Sequence, residues 1–163
     1  MRADVGARVI AVDCGAWDHH TGFGSTESGE FRANADDLAK SLAGFFTDLG
    51  TDANRVTVLT ISEFGRRVRE NGSNGLDHGY GNCMLALGAG VRGGRYLARW
   101  PGLADGNLVQ GDLAVTTDYR SVLWEAIVAR FPEASVPQVF PGFTGTPVGM
   151  FRPRGGPTGA VPT

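Results

Sequence analysis

The sequence predicts an α/β fold, a three-layer, mostly parallel sheet with flanking helices, and three observations predict it. An uninterrupted apolar and β-branched run, Val56 to Ile61, has the character of a strand buried on both faces. A second apolar run, Arg8 to Val12, lies upstream, and an amphipathic stretch from Asn34 to Leu49 separates the two. Strand, helix, strand in that order is the pattern of a parallel βαβ unit with a right-handed crossover. Both apolar runs end in polar side chains, at the position where open α/β sheets hold their ligands.

With 163 residues the chain has one domain's worth of length, enough to bury a core. Hydrophobic residues make up 42%, charged residues 20%, and the formal net charge is -2. That balance lacks the basic excess expected of a nucleic-acid binder or of a protein drawn to an anionic membrane surface. No apolar run is long enough to span a bilayer, and the first residues lead into a strand-like run rather than a signal-peptide core, so no export address is expected. The two cysteines, Cys14 and Cys83, sit in or beside apolar runs and are expected as buried free thiols.

In chain order, Arg8 to Val12 is the first expected strand, and it leads into Asp13-Cys14-Gly15-Ala16-Trp17-Asp18-His19-His20. Residues 21 to 32 are small, polar and glycine-rich, which suits a loop over a site and no regular element. A helix then follows with Asn34 as N-cap and Asp36 and Asp37 in the first turn. Leu38, Leu42, Phe45, Phe46 and Leu49 recur at helical spacing as its core face, and Gly50 closes it.

After the strand at 56 to 61 comes a glycine-punctuated loop through Tyr80, then Cys83 to Leu87 as another strand. Arg95 to Trp100 alternates like an edge segment. Residues 105 to 116 carry no clear pattern. A last helix is expected with Thr117 as N-cap, Asp118 as partner of its dipole, and Tyr119, Val122, Leu123, Ile127 and Phe131 on one side. The domain therefore runs over 1–131. Residues 132–163 hold seven of the eight prolines and form a Pro/Gly-rich tail, expected to lie along the surface to Phe151 and to be disordered beyond.

The chemistry-bearing residues gather at two strand ends. All three histidines fall there, His19 and His20 in one loop and His78 in the other. Asp18 and His20 stand two apart; in an extended segment both side chains share a face and can share one ion, while His19 points away. Glu63, Arg66, Asp77 and His78 lie in the second loop. Two carboxylates and an imidazole near a strand end are the makings of a metal or acid/base site. The plain alternative is a solvated surface loop with an Asx-turn at Asp77.

Several motifs occur in a fixed order: Gly-x-Trp-Asp-x-His at 15 to 20, Ser-Glu-Phe-Gly-Arg at 62 to 66, and Asn-Gly-x-x-Gly-x-Asp-His-Gly at 71 to 79. Gly-Gly at 93 and 94 and Thr-Asp-Tyr-Arg at 117 to 120 complete the set. Over residues 7 to 131 the chain resembles the carboxyl-terminal half of a bacterial domain-of-unknown-function family, number 1501, whose members look like distant relatives of the alkaline phosphatase and sulfatase superfamily. The resemblance implies a partial alkaline phosphatase-like domain with its amino-terminal half absent, and one or two divalent ions, zinc or manganese, at the strand ends. It implies Asp18, His20, Glu63 and His78 as metal ligands, with Arg66 and Asp77 facing the substrate or supporting the ligands. Family members are often exported through a twin-arginine signal.

Two functions follow as expectations. One is a metal-dependent hydrolase of phosphate or sulfate esters on an anionic small-molecule or polymer substrate, with Arg66 gripping the anion through its planar fork. The other is a non-catalytic metal-binding or structural module, because the superfamily's nucleophile comes from the amino-terminal half and Ser25, Thr26 and Ser62 are candidates by residue type only. A sheet lacking some of its strands would expose an apolar edge, which predicts association with another segment or another copy.

Overall fold

The run at 56–61 does form a strand, β1 (Thr57–Leu59), but its neighbour is antiparallel. In the computed structural model of the chain, which describes residues 5–152, β1 pairs with β4 (Ala86–Gly88) in the register Thr57↔Gly88, Val58↔Leu87, Leu59↔Ala86. Backbone bonds from Thr60 N to Leu85 O (3.0 Å) and Ala89 N to Val56 O (2.8 Å) extend the ladder at both ends. The second sheet is also a two-stranded antiparallel pair, β2 (Gly65–Arg66) with β3 (His78–Gly79).

The expected three-layer parallel α/β sheet is therefore not what the chain builds. The physical reason lies in the pairing: the chain between β1 and β4 doubles back through β2 and β3, so the two longer strands meet head to tail. The run Arg8 to Val12 forms no strand; it is exposed, and among the described residues no backbone hydrogen bond engages Val9 to Asp13. Arg95 to Trp100 is likewise irregular, with Tyr96 and Trp100 exposed. The third expected strand survives only as β4, displaced toward the glycine turn.

The chain divides into two units, Met1–Asp48 with Glu70–Leu76, and Leu49–Arg69 with Asp77–Thr163. In the first, helix α1 (Glu30–Leu49) begins four residues before the expected cap. Asn34 is inside the helix and uses its side chain differently, donating from Nδ2 to Ala16 O at 2.6 Å. No residue of α1 is buried: Leu38, Leu42, Phe46 and Leu49 are half-buried and Phe45 is exposed, so the expected core stripe is present but only partly covered. Asp36 and Lys40 pair one turn apart at 2.6 Å on the solvent side.

The same unit contains a loop-on-loop ladder. Gly22 N donates to Ser73 O (3.0 Å), Phe23 N to Asn74 O (2.7 Å) and Leu76 N to His19 O (2.9 Å). Asn71 closes the upper loop as an Asx-type knot, its Oδ1 accepting from Ser73 N (2.9 Å) and Gly75 N (3.0 Å) while its Nδ2 donates to His20 O (2.9 Å). Gly75 is buried against this contact, and a Cβ there would lie 2.1 Å from His20 backbone atoms.

The second unit gathers its core around α2 (Tyr119–Arg130) and the segment that follows it. Asp118 rather than Thr117 is the N-cap, accepting from Arg120 N at 2.9 Å. The buried side of α2 carries Ser121, Glu125 and Ala126, not the aromatic-rich side the sequence suggests; Tyr119 is exposed. The cause is Glu125. Its Oε2 accepts from Val148 N (2.7 Å) and Gly149 N (3.0 Å), and its Oε1 from Phe151 N (2.8 Å).

That carboxylate draws residues 148–151 inward, and Met150 and Phe151 join Ala126 as the buried apolar cluster, with Leu59, Ala86, Val91 and Val122 packed on it. The stretch to Phe151, expected along the surface, thus ends inside the core. Arg92 N to Met150 O (2.8 Å), Arg152 N to Gly90 O (3.0 Å) and the Val91↔Phe151 bridge hold it there. Between the helix and this anchor lies the short α3 (Val136–Val139), opened by a proline in its first turn. The disorder expected beyond Phe151 falls, apart from Arg152, outside the described residues. Both cysteines are free, as expected, yet both are exposed, because neither flanking run became a buried strand. No described helix is long and apolar enough to cross a membrane.

Three stability outcomes follow. Gly75→Ala is expected to destabilise by ~1–3 kcal/mol, because its Cβ meets backbone that cannot step aside, whereas Gly72→Ala in the same loop, with open space around it, stays near neutral; urea unfolding of the two variants compares them. Glu125→Gln keeps the shape but offers one acceptor oxygen to three amides, and is expected to cost about 1–3 kcal/mol in the same assay. The Asp118 carboxyl is held below its usual value by the Arg120 side chain that hydrogen-bonds it. A depressed carboxyl contributes stability above its unfolded pKa and loses it as pH falls through the folded one. The gap between wild type and Asp118→Ala, roughly 0.5–2 kcal/mol at pH 7, should therefore narrow on acidification below about pH 4, and a gap equal at pH 7 and pH 3 would refute this.

Candidate functional site

The first strand-end cluster becomes a loop whose side chains sort by residue number. His19 turns inward and is buried, with its ring 5.9 Å from both Phe23 and Phe31 and 6.3 Å from Trp17, centroid to centroid. Phe23 and Phe31 stack at 4.8 Å, and Asn34 Nδ2 approaches His19 Nε2 at 3.5 Å. This aromatic nest fixes the backbone at 19. His20 consequently faces the other way, half-buried, and its Nε2 lies 3.0 Å from Asp18 Oδ1.

The expectation that Asp18 and His20 share a face while His19 points away matches this geometry. The reason is more than strand alternation, since the segment is not a strand. His19 is pinned by its ring contacts and by the bond from Leu76 N to its carbonyl, and His20 by the Asn71 side chain on its own carbonyl. Asp18 is exposed and His20 half-exposed, so a ligand could reach both. An oxygen and an imidazole nitrogen at that separation suit one small cation, for ligands about 2.0–2.1 Å from a tetrahedral ion lie about 3.3 Å apart.

The second cluster lies on the β2–β3 pair. His78 is exposed in β3, directly opposite Arg66 in β2. Phe64, just before β2, stacks on the His78 ring at 3.8 Å with an interplanar angle of 28°, and Arg66 Cζ sits 5.5 Å from the Phe64 ring centre. Phenylalanine therefore orients the imidazole through its face and leaves the ring nitrogens at the edge. Asp77 is half-buried, and its carbonyl accepts from Arg67 N at 2.9 Å as the next rung of the ladder.

Glu63 is exposed, and among the described residues its carboxylate has no hydrogen-bond or ion-pair partner. The serines are engaged in the fold. Ser62 Oγ donates to Phe64 O at 2.8 Å and also meets the Asn82 amide, which itself donates to Phe64 O. Ser25 Oγ accepts from Glu27 N and Ser28 N in a local turn.

The residues to which sequence reasoning gave no part in the site are Asn71 and Phe64, quoted only within motifs, and Asn34, expected only as a helix cap. Asn71 carries a readable signal, since Asn-Gly-Ser-Asn-Gly is turn chemistry, but which distant carbonyl its amide would reach is not written locally. Phe64 is an apolar residue in a polar loop, and an exposed aromatic beside a histidine is itself a cue for ring stacking.

Similarity to known sequences fits the motif order. No curated protein and no solved structure matches the chain. A protein family described as "Protein of unknown function (DUF1501)" matches residues 1–121, which cover most of the chain and every side chain of the two clusters. The chain belongs to the DUF1501 family.

Proposed function

We propose that this chain is a divalent-cation-binding domain of hydrolase type, acting on phosphate or sulfate esters, with Asp18 and His20 as the core of the ion site. The observation that carries this reading is the Asp18–His20 pair at 3.0 Å, held by backbone bonds and not by mutual attraction alone. His78 is the proposed third ligand. It enters on the Asp-His-Gly motif at 77 to 79. Glu63, exposed and without an ionic partner of its own, is the proposed fourth donor, and zinc or manganese suits such an O/N donor set.

A bound divalent cation would supply Lewis acidity toward an ester oxygen and lower the pKa of a bound water. The chain's own residues would do the rest. Asp18 offers negative charge that favours cation binding, His20 and His78 offer neutral nitrogens, and the Phe64 stack keeps His78 from swinging away. Arg66, opposite His78 in the ladder, would bind the anionic part of the ester through paired donors. Asp77 immediately precedes β3 and would orient Arg66 or a water. The proposed kinship with alkaline phosphatases and sulfatases rests on the motif order alone.

A non-catalytic ion-binding module is the second reading. It is favoured by one observation: the hydroxyls of Ser62 and Ser25 are both committed to backbone partners, so neither is poised as a nucleophile.

Titration calorimetry with zinc and with manganese, on the wild type and on Asp18→Ala, His20→Ala and His78→Ala, tests the site. About one ion per chain is expected, with affinity reduced at least ~10–100-fold in each variant. Binding unchanged in all three variants would overturn the assignment. An assay of aryl phosphate and aryl sulfate hydrolysis on the ion-loaded wild type then separates the readings: turnover lost in Arg66→Ala with the ion still bound supports the hydrolase, and ion binding without turnover supports the module.

A further inference from the structure

Two Asn-Gly pairs, Asn71-Gly72 and Asn74-Gly75, stand in the loop that grips residues 19–23. Asparagine followed by glycine is the setting in which a chain most readily reacts with itself. The backbone nitrogen of the next residue attacks the side-chain amide carbon, and glycine has no Cβ to hinder that approach. Folding treats the two pairs differently.

Asn71 is held through both ends of its carboxamide. Its Oδ1 accepts from Ser73 N (2.9 Å) and Gly75 N (3.0 Å), and its Nδ2 donates to His20 O (2.9 Å). Closing a ring on Gly72 N would take the carboxamide out of all three bonds, because Nδ2 leaves and Oδ1 turns away with Cγ. Asn74 is exposed, and among the described residues its carboxamide makes no hydrogen bond. Its backbone lies in the left-handed region, at φ 54°. Ring closure here costs one side-chain bond, the one from Gly75 N to Asn71 Oδ1.

We propose that Asn74 is a site of spontaneous deamidation and isomerisation, with Asn71 spared, so that the gripping loop carries a chemical clock. Gly75 N loses its proton to solvent base and bonds to Asn74 Cγ; the Cγ–Nδ2 bond breaks and the nitrogen takes up a proton and leaves as ammonia. Water then opens the resulting succinimide. Attack at Cγ gives aspartate, and attack at the backbone carbonyl carbon gives isoaspartate, whose main chain runs through Cβ and Cγ. The sum is one water consumed and one ammonia released, with no oxidant or reductant. Both products add a negative charge. Isoaspartate also adds one carbon to the main chain between Ser73 and Leu76, whose bonds with Gly22 and His19 then cannot both keep their register. The reaction itself is independent of the proposed ion site, which it reaches only through the loosened backbone.

The full chain, aged in mildly alkaline buffer both folded and in urea, tests this by peptide mass spectrometry of aspartate and isoaspartate at 71 and 74. In urea the two pairs should react at similar rates. Folded, Asn74 should react at least ~5-fold faster than Asn71, the least that a difference of two ordinary hydrogen bonds is worth. Asn71→Ala, which frees Gly75 N, should speed the reaction at Asn74 by about fivefold, the worth of one such bond. Hydrogen exchange then reads the consequence: the Phe23 and Leu76 amides should lose protection in the aged wild type and keep it in aged Asn74→Gly, which suits the left-handed backbone and has no carboxamide. Asn71 reacting as fast as Asn74 in the folded chain would overturn the proposal, and so would an Asn74 that stays intact when folded while the urea sample reacts. Protection that declines equally in aged wild type and aged Asn74→Gly would overturn the link to the grip.

Discussion

The constraint on which the candidate site depends is the grip of the 71–76 loop on the backbone at 19–23. Four interactions make it: three backbone bonds, and the Asn71 amide on the His20 carbonyl. A loop of polar and glycine residues has little apolar area with which to hold a shape, so its backbone groups must find partners or remain in water. Here they find one another, and that is why Gly75 must lack a side chain. Everything said about Asp18 and His20 follows from it. Two exposed side chains on an unsupported loop would sample many separations; two on a backbone pinned at consecutive carbonyls hold one.

The second unit reaches the same end by another route. Glu125 places a carboxylate on the inner side of a helix, where an unpaired polar group would be costly, and satisfies it with three amides from a segment more than twenty residues downstream. Those bonds gather Val148 to Phe151 and so complete an apolar cluster that α2 and the β1–β4 pair could not close alone. Elsewhere in this unit a second buried carboxylate, Asp112, meets a charge instead of amides: Arg67 Nε lies 3.1 Å from Asp112 Oδ1, without a directed hydrogen bond, while Arg67 Nη2 donates to Gln110 O. Polar groups, rather than a large hydrophobic interior, carry much of the long-range order in both units.

This explains which features were legible in the sequence. Helix periodicity from Asn34 to Leu49 and from Thr117 to Phe131 and the strand character of Val56 to Ile61 are local properties, and an element formed at each place, the strand shortened to Thr57–Leu59. The shared face of Asp18 and His20 was legible too, though through the wrong mechanism. What was not legible is every feature that depends on a partner far along the chain: the antiparallel neighbour of β1, the turn of Glu125 inward, and the carbonyl chosen by Asn71. A charged residue on a helix reads as solvent-facing by default, and only the three amides that meet Glu125 reverse that reading. The parallel sheet failed for the same reason, since periodicity identifies a strand but not the direction of its neighbour.

Val9 to Val12 and Val56 to Ile61 make the point most sharply, because they are nearly the same local pattern with different outcomes. Each is a short β-branched run ending in polar residues. The later one meets Ala86–Gly88 and becomes β1; the earlier one meets nothing among the described residues and stays exposed. Intrinsic β preference amounts to a fit with a pleated, half-buried surface, so it has no structural expression until such a surface is supplied.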